Sequence, residues 1–272
     1  MRKKHISKSI EDLVIETEGL VRRGAKEIIL IAQELTYYGL DLYKKRALPD
    51  LLNRLADIEG LKWLRLHYAY PSKFPREIIE VMRSRDNICN YLDIPLQHAS
   101  NAVLENMRRH TSMEEMQDLL DYCRQMIPDI KIRTTMLVGH PGETEEDIAI
   151  LKTFIQKNEF DRLGVFQYSH EEGTRAYEMT DDVPAEEKAR RANEIMEIQQ
   201  MISLRKNREI IGKELEVMID RQEGDHWYGR TYGDSPEVDN EVIIHTSIKL
   251  RIGQFVKVDV VDALEYDLIA EY

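Results

Sequence analysis

Residues Thr134 to Asp147 read TTMLVGHPGETEED, and how this stretch is parsed decides the fold. An apolar run stops at Gly139, the chain turns through His140, Pro141 and Gly142, and acidic residues follow. A short continuous apolar run is the mark of a strand buried on both faces. Thr144 and Asp147 then have the spacing of a helix capping pair. The stretch therefore reads strand, turn, helix. Gly139 and Gly142 supply unusual φ angles and Pro141 fixes its own. A turn of this kind leaves backbone amides near a helix start, where a carboxylate or phosphate can bind, and glycine lets a flat ligand approach the backbone. The same residues would also serve a plain turn.

Working outward, the cycle repeats. Ser9 caps a helix with Ile10, Leu13, Val14, Thr17, Leu20 and Val21 on one face, and EIILIAQ follows as a strand. LPDLLNRLADIEG has a proline near its start and a glycine at its end, and the strand LRLHYAY comes next. The helix FPREIIEVMRS, the strand YLDIPLQ and helices from Ser100 to Met126 precede the opening stretch, with Thr111 and Glu114 as a second capping pair. A helix from Glu145 to Gln156 and the strand RLGVFQYS complete the series. Five strands alternating with helices predict a parallel sheet with right-handed crossovers. The series opens on a helix with no strand feeding it, so the first strand of the sheet is expected to be an open edge and the chain the remainder of a longer one.

A charged helix runs from Pro184 to about Arg208, with Ile195, Ile198, Met201, Ile202 and Leu204 on its inner side. Beyond it, KELEVMIDRQ, HWYGRTY, NEVIIHTSI and the final segment are short and alternating, split by Gly224, Gly233, Pro236 and Gly253. They predict a small antiparallel β-barrel. The expected domains are 1–206 and 207–272.

The chain of 272 residues has a net charge of −12, which disfavours whole-chain attraction to nucleic acid but leaves room for a local basic groove. Residues 207–272 hold 15 acidic against 7 basic side chains, a difference of −8. That is either a solvated acidic face or a site for a basic partner. Cys89 and Cys123 stand alone, which argues against a disulfide framework or a Cys-only metal motif. No apolar run approaches the about 18 residues of a membrane span, and the amino terminus lacks the apolar segment of a signal peptide, so a cytoplasmic protein is expected.

In parallel α/β architectures ligands bind at the carboxyl ends of the strands. Those ends carry Gln33 and Glu34, then His67, Tyr68 and Tyr70, then Gln97, His98 and Ser100, then Gly139 to Glu143, then Tyr168 to Gly173. Together they describe the mouth of one cavity. His67, His98, His140 and His170 occupy corresponding ends but lack the close helical spacing of a zinc motif, so no metal ligand is assigned among them.

ILIAQELTYYG, LRLHYAYP, DIPLQHAS, TTMLVGHPGETEED and YSHEEGT, in this order, resemble the radical S-adenosylmethionine methylthiotransferases, above all the branch that modifies an aspartate of a small-subunit ribosomal protein. The segment from about Lys213, with GRTYGDSPEVD, looks like that family's TRAM domain. The resemblance implies an α/β fold: a partial, open TIM-like β/α barrel, here without its first strand, followed by an OB-like barrel. It implies two cofactors, S-adenosyl-L-methionine and [4Fe-4S] clusters, whose ligating cysteines (a CxxxCxxC triad expected before His5, and three in a further amino-terminal domain) are absent from this sequence. The implied reaction is radical abstraction from an aspartate β-carbon followed by methylthiolation, for which the cofactors supply the chemistry and the protein the orientation. By position the cofactor would meet Gln33, Gln97, Arg133, Gly139, His140 and Gly142. Many relatives carry Phe where His140 stands, which leaves a cofactor-backing role intact and speaks against a general acid.

The sister branch, which methylthiolates a tRNA adenosine, typically has Arg-Pro where this chain has Glu171 and Glu172. An acidic mouth and an acidic terminal barrel suit a basic ribosomal protein better than tRNA phosphates. Tyr68, Glu171, Glu172, Trp227 and Tyr228 are the candidate substrate contacts, the last two as an aromatic anchor in an acidic rim or, alternatively, as barrel core. Without cluster ligands, this chain alone is expected to bind substrate rather than generate a radical.

Overall fold

The computed structural model describes residues 5–272. Its first part alternates α1 (Ile10–Arg22), β1 (Glu27–Leu30), α2 (Leu48–Ala56), β2 (Trp63–Leu66), α3 (Glu77–Ser84), β3 (Ile88–Asp93), α4 (Asn101–Asn106), α5 (Met113–Met126), β4 (Lys131–Val138), α6 (Glu145–Asn158) and β5 (Arg162–Gln167). The long α7 (Ala185–Arg208) leads to β6 (Glu214–Glu223), β7 (His226–Arg230), β8 (Val242–His245), β9 (Phe255–Ala263) and β10 (Leu268–Glu271).

The five expected strands form one parallel sheet in the order β1-β2-β3-β4-β5, with β1 at its edge. Each pair of neighbouring strands is joined by a helix-containing connection, the arrangement for which crossovers are right-handed as a rule. β4 shows how the faces divide. Ile132, Thr134, Met136 and Val138 are buried towards the helices, while Lys131, Arg133, Thr135 and Leu137 alternate onto the concave face. Behind the sheet, Leu51, Leu52 and Leu55 of α2, Ile78 and Ile79 of α3, and Leu119 and Leu120 of α5 form one continuous core.

Local signals set most helix ends. The Ser9 hydroxyl accepts from the Asp12 amide, and Thr144 and Asp147 cap each other's backbone at the start of α6. The box at α5 lies one residue later than expected: Ser112 and Glu115 make it, while Glu114 accepts from the Asn101 side chain instead. The expected helices from Ser100 to Met126 are two, separated at 107–112, where Arg108 and His110 adopt left-handed φ of 55° and 51°. On α7, Ile195, Gln199 and Ile202 share the buried stripe, and Met201 points outward at 65% exposure, off the i, i+4, i+7 face.

The terminal strands close into a barrel in the order β10-β8-β7-β6-β9. It is not wholly antiparallel. β8 and β10 pair in parallel, because an odd number of strands cannot alternate direction all the way around a closed ring. Its interior is filled by Val217, Ile219, Trp227, Ile244, Val258 and Ala270.

The barrel covers the lower part of the concave face. Trp63, Cys89 and Tyr91 of the sheet meet Met218, Tyr232 and Phe255 of the barrel. Around this apolar contact lies a set of buried ion pairs. Arg65 donates from Nε to Glu27 at 2.7 Å, and Arg230 of the barrel donates to the other oxygen of Glu27 at 2.9 Å and to Asp220 at 2.6 Å. Arg162 pairs with Asp234, and Arg133 with Asp93 at 3.0 Å and Asp239 at 3.2 Å. Three strand arginines that face the concavity are thus held by carboxylates, two of which, Asp234 and Asp239, come from the loop between β7 and β8. No described helix is long and apolar enough to cross a membrane.

Candidate functional site at the carboxyl ends of the strands

With its lower half covered by the barrel, the concave face is left open towards the carboxyl ends of the strands. Leu137 and Phe166 are register partners on β4 and β5, and the Phe166 ring is 63% exposed there. By strand alternation Ile31, also exposed, continues the same face beyond β1. An apolar floor of this shape suits a flat, largely hydrophobic ligand group.

Polar groups ring that floor. Gln33 is exposed and Gln97 half-buried, and neither side-chain amide makes a hydrogen bond among the described residues. Gln97 holds φ at 74° while its backbone pairs with Thr135 and Leu137 at 2.8 and 2.7 Å. Tyr68, 46% exposed, holds φ at 58°, with its amide donating to Asp93 at 3.1 Å and its carbonyl accepting from Leu35 at 3.1 Å. Non-glycine residues in this region are sterically costly, and such strain gathers where side chains are aimed at ligands.

The Gly-His-Pro-Gly turn is built from within. The Glu143 carboxylate accepts from the Gly139 amide at 2.8 Å and from Arg191 of α7 at 2.8 Å. Its second oxygen lies 3.4 Å from His98 Nε2, both side chains being fully buried. The Ser100 amide donates to His98 Nδ1 at 2.9 Å, which places the imidazole proton on Nε2, facing Glu143. Burial pushes the Glu143 carboxyl up, but His98, the Gly139 amide and Arg191 together hold it below its ordinary value. The amide of Gly142 donates to Asp182 at 2.8 Å. The expectation that these amides face an anion is met by the chain's own carboxylates, so the Gly139 and Gly142 N–H groups are not free to read a ligand's edge. Gly139 is required for a second reason: at φ 77° a Cβ there would stand 2.3 Å from Lys188 Cγ. Lys188 is buried, bonded to both oxygens of Asp181 at 2.8 Å and stacked on the Tyr168 ring.

His140 is buried beside Tyr168, with Nδ1 donating to the Pro141 carbonyl at 3.1 Å. Burial lowers its pKa, so it stands neutral at pH 7. The other strand-end histidines have separate partners: His67 with Ser235 at 2.8 Å, and His170 with Tyr168 at 3.0 Å. Among the described residues no three His, Cys, Asp or Glu side chains are grouped to hold a metal.

Three expected assignments are revised. Arg133 does not stand free beside the cavity, since its guanidinium is engaged by Asp93 and Asp239. Trp227 is 6% exposed and fills the terminal barrel, so it cannot act as a surface anchor. Tyr228 is half-buried beneath Arg221, whose guanidinium lies 4.2 Å from the ring centroid. Glu171 and Glu172 are exposed on the loop after β5, as drawn from the sequence. Sequence reasoning missed the supports Asp93, Asp181, Asp182, Lys188 and Arg191. Only the charge of Asp93, Lys188 and Arg191 on otherwise apolar element faces could have marked those three, whereas Asp181 and Asp182 lie exposed in the loop before α7 and carried no such signal.

The residues fit the two implied cofactors unequally. The apolar floor with Gln33 and Gln97 at its edge suits an adenosyl group. An iron–sulfur cluster has no ligand set here: Cys89 and Cys123 are both buried in apolar packing, and burial pushes each thiol up to about 12.

Comparison with known proteins adds to this geometry. Residues 1–155 match the Radical SAM superfamily and residues 211–272 the TRAM domain. The chain is 54% identical over 272 residues to the ribosomal protein uS12 methylthiotransferase RimO of Flavobacterium psychrophilum, covering all of this chain and 63% of that protein. It is 52% identical over 270 residues to the same enzyme from Bacteroides thetaiotaomicron, covering 98% of this chain and 62% of that protein. The chain thus spans somewhat less than two thirds of these relatives. Among solved structures, coproporphyrinogen III oxidase (HemN) from Escherichia coli, a radical SAM enzyme, aligns with 73% of this chain and 48% of its own at a TM-score of 0.55 and 17% identity, a likeness of fold.

Proposed function

This chain belongs to the radical SAM superfamily, and from that premise we propose that it forms the catalytic-barrel and TRAM part of a methylthiotransferase acting on an aspartate β-carbon of a small-subunit ribosomal protein. The observation that carries the reading is identity above 50% along the whole chain to enzymes that bear that name. We take residues 1–206 as the partial barrel and 207–272 as the TRAM-like domain.

S-adenosylmethionine and a [4Fe-4S] cluster would supply the radical chemistry when bound. This chain's residues would bind, orient and exclude water. Phe166, Leu137 and Ile31 would floor the adenosyl group, with Gln33 and Gln97 as hydrogen-bonding partners at its polar end. The Glu143, His98 and Arg191 cluster would hold the Gly139–Gly142 turn rigid behind it, and neutral His140 would back the site without donating a proton. Tyr68, Glu171 and Glu172 line the mouth, where two carboxylates would attract a basic protein segment.

The test is a chimera in which these 272 residues replace the matching region of the Flavobacterium psychrophilum enzyme. After cluster reconstitution, mass spectrometry should find a methylthio group in place of one hydrogen on an aspartate of the ribosomal protein. Modification of a tRNA adenosine instead, or no transfer despite an intact cluster, would overturn the reading.

A further inference from the structure

The mouth carries a second charge feature, of opposite sign to Glu171 and Glu172. Arg46 reaches the Lys73 carbonyl at 2.6 Å and stacks over Tyr37 at 5.0 Å. Beside Lys73, the Ser72 hydroxyl donates to the His110 carbonyl at 2.7 Å. Tyr70 donates to the carbonyl of Arg109, whose guanidinium lies 5.7 Å from the Tyr70 ring. Arg108 and His110 then share with Arg175 a groove of about 940 Å³ between α4 and the loop after β5. These hydrogen bonds and the shared groove join Arg46, Lys73, Arg109, Arg108, His110 and Arg175 into one band, and each follows the carboxyl end of a strand.

Several basic side chains near the band and beneath it are neutralised, whereas those of the band are not. Nearby Lys45 and Arg76 are paired with Asp50 and Asp118, and the concave-face arginines are neutralised by Glu27, Asp93, Asp234 and Asp239. Among the described residues, none of Arg46, Lys73, Arg108, Arg109 or Arg175 has a carboxylate within ion-pair distance. Glu105 is the one acid lining the groove, and Glu171 and Glu172 sit on the Arg175 loop. Arg108 and His110 are moreover held in left-handed backbone at the break between α4 and α5, which projects adjacent side chains out of the helical path. Tyr37 and Tyr68 stand exposed at the same end, offering faces on which bases stack.

Unpaired guanidinium groups interleaved with exposed tyrosines are the chemistry of single-stranded RNA binding. We propose that this band contacts RNA phosphates flanking the protein segment that enters the site, so that the substrate is engaged while bound to RNA. The source of that RNA rests on the ribosomal-protein reading above; the binding surface does not. A basic protein segment alone would be repelled by this band, whereas beside RNA it is drawn to the acidic mouth while its RNA meets the basic rim.

The experiment measures binding of the 272-residue chain to a fluorescein-labelled oligouridylate by anisotropy across a salt series. For single strands each lost phosphate contact lowers the slope of log K against log salt by about 0.7, so Arg108→Ala with Arg175→Ala should lower it by about 1.4 and weaken binding on the order of tenfold at low salt. Arg46→Glu with Lys73→Glu, on the far side of the band, should weaken binding as well, and Lys257→Glu on the terminal barrel should not. These side chains are exposed or hold no buried carboxylate, and unchanged thermal melts would establish that the variants fold. Binding indifferent to both pairs, or displaced equally well by polyglutamate of matched length, would overturn the proposal. No RNA binding by the unsubstituted chain with a chimera that still modifies free ribosomal protein, and RNA binding with a chimera that modifies nothing, separate failure of this inference from failure of the functional reading.

Discussion

Replacing Glu27 with Gln should uncouple the two parts of the molecule. Glu27 is the one carboxylate between Arg65, whose side chain is fully buried, and Arg230, whose side chain is 5% exposed. The substitution keeps the shape, removes the charge, and turns an amide donor towards two guanidinium groups that only donate. Removing one partner of a buried ion pair costs about 3–5 kcal/mol, because the remaining charge stays desolvated. The lower end, about 3 kcal/mol, applies here. Arg65 keeps the Tyr232 carbonyl at 2.8 Å and its stacking over Tyr91 at 4.6 Å, and Arg230 keeps Asp220. Urea unfolding is the assay. The two tryptophans, Trp63 at the interface and Trp227 inside the barrel, give separate fluorescence probes through Trp63→Phe and Trp227→Phe backgrounds. The wild type should show coincident transitions. In Glu27→Gln the midpoint should fall and the two probes should separate as the barrel and sheet unfold apart. Glu27→Leu combined with Arg65→Met, an apolar pair of similar volume, should recover most of the loss. A change below about 1 kcal/mol, as for an exposed pair, with coincident transitions would refute the reasoning.

Gly139→Ala should destabilise by about 2–4 kcal/mol, from a left-handed φ and a clash with Lys188, and Lys188→Ala should return only the steric part; a purely additive double mutant in urea melts would refute the contact. Glu143, Asp147 and Asp161 are held below their ordinary values in the fold, where hydrogen bonds and cations outweigh burial. Their stabilisation is therefore full above the unfolded carboxylate pKa of about 4 and is lost as pH falls through the lower folded values, so the urea midpoint should drop below about pH 4, and less steeply in Arg191→Met. Trp227→Ala should cost about 3–5 kcal/mol of barrel stability, and a variant as stable as the wild type would mean that the indole is not core. Cys89 and Cys123 should resist a disulfide reagent until urea unfolds the chain, and rapid labelling of the native protein would contradict their burial.

The strand-turn-helix parse of Thr134–Asp147 was readable because its signals are local. An apolar run, two glycines, a proline and a capping pair act within a few residues of one another. The repeated cycle then implied the parallel sheet, and the strand-end rule collected Gln33, Tyr68, Gln97 and the Gly139–Gly142 turn at one end of it. Errors came where non-local partners decide. Ser112 rather than Thr111 caps α5, and Glu114 accepts from Asn101 instead of closing a box. Arg133 was expected by position to meet the cofactor, but Asp239, 106 positions further on, stands beside it. Trp227 looked like an anchor because its sequence neighbours are charged, although strand alternation turns it into the barrel.

The order of elements and the family likeness were legible in the chain alone, and so was the candidate site expected at the strand ends, because all three rest on periodicity and short motifs. Only the tertiary structure decided how charge is distributed over the surface. Net charge and segment totals left the acidic barrel as either a solvated face or a site for a basic partner. In the fold, Asp220, Asp234 and Asp239 of that barrel are turned inward onto arginines, while Arg46, Lys73, Arg108 and Arg175, far apart in the chain, share one unneutralised edge. A charge has meaning only with its partner and its solvent, and both are set by distances that close in space rather than along the chain.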